Sequence, residues 1–311
     1  MNRRAFGLVA LGLALVLVGC ESGGGMTPGT FLGAMTQGVT GVNPADVQGA
    51  STEIDEPEEI ELGRSVTTAI GSRYKLLRDE PLTRYVALVG TAVAMQSDRP
   101  DLRYYFGVLD TDEVNAFAAP GGYVFITRGT LALIRDEATL AGVLGHEIGH
   151  IALRHHVKTL KAEKQAAVGK GLGTTAARIG AGFIPGIGGT VTNVAVNSPL
   201  MNVMTDKAVD VVFLKGFSRV EEGEADVVGF KYAARAGYDP GGLRDFLKAV
   251  QEGGGQPAKS SFFGKFVATH PGADERLKEQ EAQLKNAPAG GRRAAARFQE
   301  AMAAKPVPPT R

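Results

Sequence analysis

The chain has 311 residues, enough for one large domain or two small ones, and its 44% apolar and 22% charged residues are an ordinary balance for a globular core. A formal net charge of +1 removes any electrostatic case for nucleic acid or for an acidic partner. The 42 glycines are uneven, gathering at 23–41, 169–189 and 253–255.

In chain order, Arg3 and Arg4 precede an apolar stretch, Phe6 to Val18, too short to span a bilayer comfortably. It ends in "LVGC", which resembles the lipobox of bacterial lipoproteins, where the cysteine is lipidated on its thiol and becomes the mature N-terminus. Cys20 is the only cysteine. The expectation is a signal peptide over 1–19, a lipid anchor at Cys20, and a mature chain without free thiol or disulfide. "NRRAFG" matches a twin-arginine signal only in part, which leaves the export route open. Residues 20–52, rich in Gly and Thr, read as a flexible tether. A single domain is expected over 53–285, followed by a loose Ala/Pro/Arg-rich tail over 286–311.

Within the domain, "DEPEEIELGRSVTTAIGSRYKLL" places Ile60, Leu62, Val66 and Ile70 at helical spacing, with acids in its first turn. "EPLTRYVALVGTAVAMQ" predicts a second helix. The period then changes: Leu102–Asp110 and Tyr123–Gly129 read as strands bracketing "TDEVNAFAAPGG", and the Pro120-Gly121-Gly122 turn predicts a hairpin. Asp136 caps a long helix expected to run on to Gln165. A further helix spans about Arg219 to Ala236, stopping at Gly237 with Pro240 beyond, and "DPGGLRDFLKAVQE" predicts another. The nearly uncharged segment 169–204 lies between these helices, and Pro185 with its glycines excludes a spanning helix there. It reads equally as a flap over a cleft or as two buried helices. There is no internal repeat.

Four of the five histidines fall within "LGHEIGHIALRHH". His146 and His150 sit one helical turn apart, so both imidazoles leave the same face, as two ligands of one tetrahedral ion require. Glu147, about 100° further round, can reach a water on the metal without ligating it. This is the H-E-x-x-H arrangement of zinc hydrolases. On a continuous helix His155 falls opposite that pair, with Leu144, Ile148 and Ile151, and His156 lies further round. Both read as structural, His155 as a satisfied core group.

A catalytic zinc needs a third protein ligand and an open fourth position. With no cysteine and no histidine nearby, a carboxylate is expected. "FSRVEEGEADVVGFKYAARAG" offers Glu221, Glu222, Glu224 and Asp226. Glu222 and Asp226 share a face with Gly229 and Ala233, small residues that let this helix press against Gly145 and Gly149 of the other. Glu222 is therefore the expected third ligand. Asp226 would accept an imidazole N–H from behind the ligands. Glu221 and Glu224 read as a solvated face.

"HEIGH", "SRVEEGEAD" and "THPGADER" occur in the order seen in the HtpX/BepA/LoiP-like zinc metallopeptidases, relatives of the CaaX prenyl proteases and Oma-type enzymes, and the resemblance covers roughly residues 55–280. It implies an α+β fold, mostly helical, with a gluzincin-like peptidase domain and a small sheet. It also implies one Zn2+ per chain, and it places the family's E-x-x-x-D element on Glu222 and Asp226. "NAFAAPGGYVFITRGTL" resembles the family's edge strand, so Asn115, Ala116, Phe117 and Ala118 are expected to pair with extended substrate. His270 and Arg276 match its H-P-x-x-x-x-R element. Two roles stay open for His270, oxyanion stabilisation or occupation of the open metal position in a latent state. Arg276 would donate to the oxyanion or to a nearby carboxylate. The chain departs from CaaX and HtpX enzymes in having no transmembrane helix after its signal, and from BepA in having no C-terminal repeat domain.

The expected function is a lipid-anchored zinc endopeptidase on the periplasmic side of the envelope, acting on misfolded or misassembled envelope proteins. The alternative is a chaperone-like lipoprotein with a structural or latent zinc. Glu21 after the anchor, where the inner-membrane retention signal of enteric bacteria has Asp, favours the outer membrane.

Overall fold

Asp55 opens the first helix with a reciprocal cap: its carboxylate accepts the Glu58 N–H, and the Glu58 side chain accepts the Asp55 N–H. From there the computed structural model describes residues 54–160, 162, 216–254, 260–287 and 290–304. The signal peptide, Cys20, the tether and the segment 169–204 lie outside the described residues. Helix α1 is Glu56–Arg73 and α2 is Glu80–Ala94, each with proline in its first turn, where the missing N–H has no helical partner to lose. Strands β1 (Tyr105–Leu109), β2 (Ala116–Ala119) and β3 (Tyr123–Thr127) follow, then the short α3 (Arg128–Leu133) and α4 (Glu137–Ala152), capped by Asp136. Beyond the helical stretch 155–160, five more helices follow: α5 Arg219–Arg235, α6 Gly242–Gly254, α7 Ser260–Thr269, α8 Ala273–Lys285 and α9 Ala295–Ala303. No described helix is long and apolar enough to cross a membrane.

The fold is mostly helical with a small sheet ordered β1-β3-β2. The expected Pro120–Gly122 turn closes the antiparallel β2–β3 hairpin, and Gly121 and Gly122 hold φ of 73° and 99°, where a side chain would be strained. β1 pairs with β3 in parallel, so the bracketed segment supplies the sheet's third strand. Alternation along the strands divides the core. Val108, Ala116, Ala118, Val124 and Ile126 face the main core with α2, α4 and α6. Leu109, Phe117, Ala119 and Phe125 face Leu62, Val66 and Ile70 of α1 together with Val157 and Leu160.

Two expectations change. The long helix does not run to Gln165: α4 ends at Ala152, Arg154 turns into the left-handed region with φ 56°, and helix resumes over 155–160. Arg154 is held in that turn by Glu59, 2.9 Å from its Nε, and it donates to the Ile54 carbonyl. Beyond Asn286, residues 290–304 hold ordered structure. The Arg293 carbonyl accepts the N–H groups of Glu137 and Ala138, free donors at the start of α4, and Phe298 of α9 is 1% exposed. Phe298 and Arg293 thus attach a segment whose composition alone reads as loose.

Candidate metal centre

The centre depends on how closely α4 and α5 approach. A Cβ on Gly145 would lie 2.9 Å from the Gly229 carbonyl oxygen, and one on Gly149 equally close to that of Ala225. Backbone meets backbone there, and any larger residue would force the helices apart. That contact carries His146 and His150 of α4 to Glu222 and Asp226 of α5, all four buried.

The inward atoms converge. His146 Nε2 lies 3.1 Å from His150 Nε2 and 3.5 Å from Glu222 Oε2, and His150 Nε2 is 3.3 Å from Glu222 Oε1. His270, just past α7, brings Nδ1 to 3.2 Å from Glu222 Oε1 and 3.3 Å from His146 Nε2. Ligand atoms of these four residues all lie within 4.8 Å of one another, so the cluster could hold a metal ion. Tetrahedral ligands at the zinc–nitrogen distance of about 2.0–2.1 Å stand roughly 3.3–3.4 Å apart, which is the spacing found. Imidazole nitrogen and carboxylate oxygen are also the donor types zinc takes.

Each expected ligand imidazole has a partner behind it. His146 Nδ1 is 2.7 Å from Asp226 Oδ1, placing Asp226 where an imidazole N–H can be accepted. Arg276 of α8 forks onto Asp226 through Nε and Nη2, both at 2.7 Å, and Nη1 donates to Glu222 Oε2 at 2.5 Å. Of the two roles open for Arg276, the carboxylate contacts are the ones present. Burial opposes the charge on Asp226, yet Arg276 and His146 hold its carboxyl below the ordinary value.

His150 is backed differently. Its Nδ1 lies 2.9 Å from His155 Nδ1, and His155 Nε2 is 3.1 Å from Glu224 Oε2. His155 was expected on the far side of the helix. The break at Arg154 turns it back, and Glu224, exposed as expected, is also its partner. Glu221, also expected to be solvated, completes the capping box of α5 with Ser218 and accepts from the Thr159 hydroxyl. His156 is buried against Phe217, ring centroids 4.8 Å apart, and burial pushes its imidazole down to about 3.

Glu147 is 1% exposed, with Oε1 3.7 Å from His270 Nε2 and Oε2 without a hydrogen-bond partner among the described residues. Burial pushes its carboxyl up, against the pull of His270 and His146. It lines a cavity of about 10 Å³, room for roughly one water, together with Ala116, Phe117 and Ala118. β2 is therefore the sheet edge bordering the centre, and the Ala116 carbonyl lies 3.4 Å from His270 Nε2. Asn115, buried just before β2, accepts from the Ala116 N–H and the Thr269 hydroxyl. Phe217, unremarked in the sequence, stacks on His150 at 3.9 Å and 17°. An isolated phenylalanine ahead of α5 carries no pattern that could have marked it.

A helix-borne histidine pair, an adjacent unligated glutamate and a carboxylate from a neighbouring helix meet in this way in metallopeptidases. The model of peptidase family M48 matches residues 81–283, and the chain belongs to that family. It is 25% identical over 242 residues to a beta-barrel assembly-enhancing protease of Yersinia pestis, covering 74% of this chain and 44% of that protein. It is 29% identical over 207 residues to the mitochondrial metalloendopeptidase OMA1 of Schizosaccharomyces pombe, covering 67% and 54%. With the metalloprotease LoiP of Escherichia coli the figures are 27% over 272 residues, 86% and 92%. The chain thus spans about half the length of the first two and nearly all of the third.

Proposed function

We propose that this chain is a zinc-dependent endopeptidase of the bacterial envelope that hydrolyses misfolded or misassembled envelope proteins from a lipid anchor at Cys20. The observation that carries the activity is the meeting of His146, His150 and Glu222 at one point beside the unpartnered carboxylate oxygen of Glu147. The substrate class rests on the name of the Yersinia pestis relative, a beta-barrel assembly-enhancing protease. The anchor, the periplasmic face and the outer membrane rest on "LVGC" and Glu21.

Zinc, if held by His146, His150 and Glu222, would supply the Lewis acidity that polarises a peptide carbonyl and eases the loss of a proton from water. Glu147 takes that proton and returns it to the departing amine. The backbone of Asn115–Ala118 pairs with an extended substrate, so side chains contribute little to recognition. Asp226 and Arg276 keep His146 and Glu222 oriented.

A second reading has one observation behind it. His270 Nδ1 completes four donors, while its Nε2 can donate to the Ala116 carbonyl on the strand that substrate would use. In this arrangement His270 closes both the metal and the sheet edge, a latent state or the resting form of a chaperone-like lipoprotein. Casein hydrolysis separates the readings. Glu147→Gln should keep its zinc and lose about 10²–10⁴-fold in rate, and His270→Ala should turn over faster than wild type. Undiminished hydrolysis by Glu147→Gln would end the peptidase reading. A slower His270→Ala with full zinc would assign His270 to the oxyanion instead.

A further inference from the structure

We infer that His155 and Glu224 are positioning residues of the metal centre, orienting His150 and fixing its tautomer through a chain that ends at the protein surface. The inference deepens the zinc reading above and rests on it.

The hydrogen positions follow from the geometry. To serve as a ligand, His150 must present a lone pair on Nε2, which faces His146 and Glu222. Its hydrogen then sits on Nδ1, 2.9 Å from His155 Nδ1, which must accept it. The hydrogen of His155 is thereby placed on Nε2, 3.1 Å from Glu224 Oε2, and a carboxylate can only accept. Reversing the chain would set a bare His155 nitrogen against the carboxylate and put a hydrogen where the metal belongs. Glu224 therefore selects the ligating tautomer of an imidazole two residues away in the chain of contacts.

His155 is 0% exposed, whereas the Glu224 side chain is half exposed, so the chain leads from the centre to solvent. The break in α4 makes this possible. On a straight helix residue 155 would stand roughly 140° from residue 150. The left-handed Arg154, pinned by the buried Glu59, redirects it. His146 is served by a carboxylate directly, and His150 by a carboxylate acting through an imidazole.

Partners of this kind typically alter metal affinity 10–100-fold. Zinc dissociation constants from chelator competition should therefore rise by about that factor in His155→Ala and Glu224→Ala. His155→Gln should stay within about threefold of wild type, because its amide accepts from His150 and donates to Glu224. That rescue is not expected of a residue that only fills space. If His155→Ala fails to fold, the half-exposed Glu224→Ala carries the test, with the melting temperature of its metal-free form expected to match wild type. Wild-type affinity in Glu224→Ala overturns the inference, as does equal weakening in His155→Gln and His155→Ala. The shifts expected here in a chain with no peptidase activity would sink the catalytic reading alone. A wild-type chain that takes up no zinc sinks both.

Discussion

The two ends of α4 use the same device in different surroundings. At its start, Arg293 touches Asp136 at 2.7 Å, Asp239 at 3.2 Å and Asp245 at 2.6 Å, and its side chain is 36% exposed. At the metal end, Arg276 joins Glu222 and Asp226 with a side chain only 4% exposed. Solvent reaches Asp239 and Asp245 of the first network, and the buried Asp136 keeps the Thr139 N–H and hydroxyl as donors when Arg293 is lost. The second has no such recourse, and its loss strands two charges in the interior. Burial, rather than the number of ion pairs, separates a fastening from part of a preorganised site.

The largest effect that would sharpen this contrast belongs to Arg276. Arg276→Met should destabilise the metal-free protein by about 3–5 kcal/mol in denaturant titration. Added zinc should restore part of that loss by binding the folded state. A cost like that of an exposed ion pair would break the comparison. Arg293→Ala, by contrast, should cost about 1 kcal/mol.

The same variant carries a pH signature. Burial pushes the Asp136 carboxyl up, but Arg293 and the Thr139 N–H and hydroxyl pull it further down, leaving it below its ordinary value. A depressed carboxyl contributes stability above the unfolded value of about 3.9, and that contribution is lost as pH falls through the folded value. Acid melting curves of Arg293→Ala should therefore lose less stability below about pH 4 than wild type. Parallel curves would show that Asp136 is not held down through Arg293.

Sequence spacing reached the inward face of the centre and stopped short of its outer partners. His146, His150, Glu222 and Asp226 were legible because each pair lies one turn apart on an uninterrupted stretch of helix, and glycines marked where the two helices meet. His155 was misplaced because helical extrapolation fails at Arg154, whose left-handed turn is imposed by Glu59 nearly a hundred residues earlier. The hairpin turn was legible from Gly121 and Gly122, but the parallel pairing of β1 was not, since a strand's pattern records its faces and not its neighbour's direction. The order in 290–304 depends on Phe298 finding a core and Arg293 finding three carboxylates, contacts without local periodicity.

The central claim is that one zinc ion is gripped from α4 and α5 together. Zinc content by atomic emission, on metal-replete wild type and on Glu222→Ala and Glu221→Ala, tests it most directly. The account predicts one zinc per wild-type chain, well under one in Glu222→Ala and an unchanged value in Glu221→Ala. Equal zinc in the two variants, or none in wild type, would contradict it.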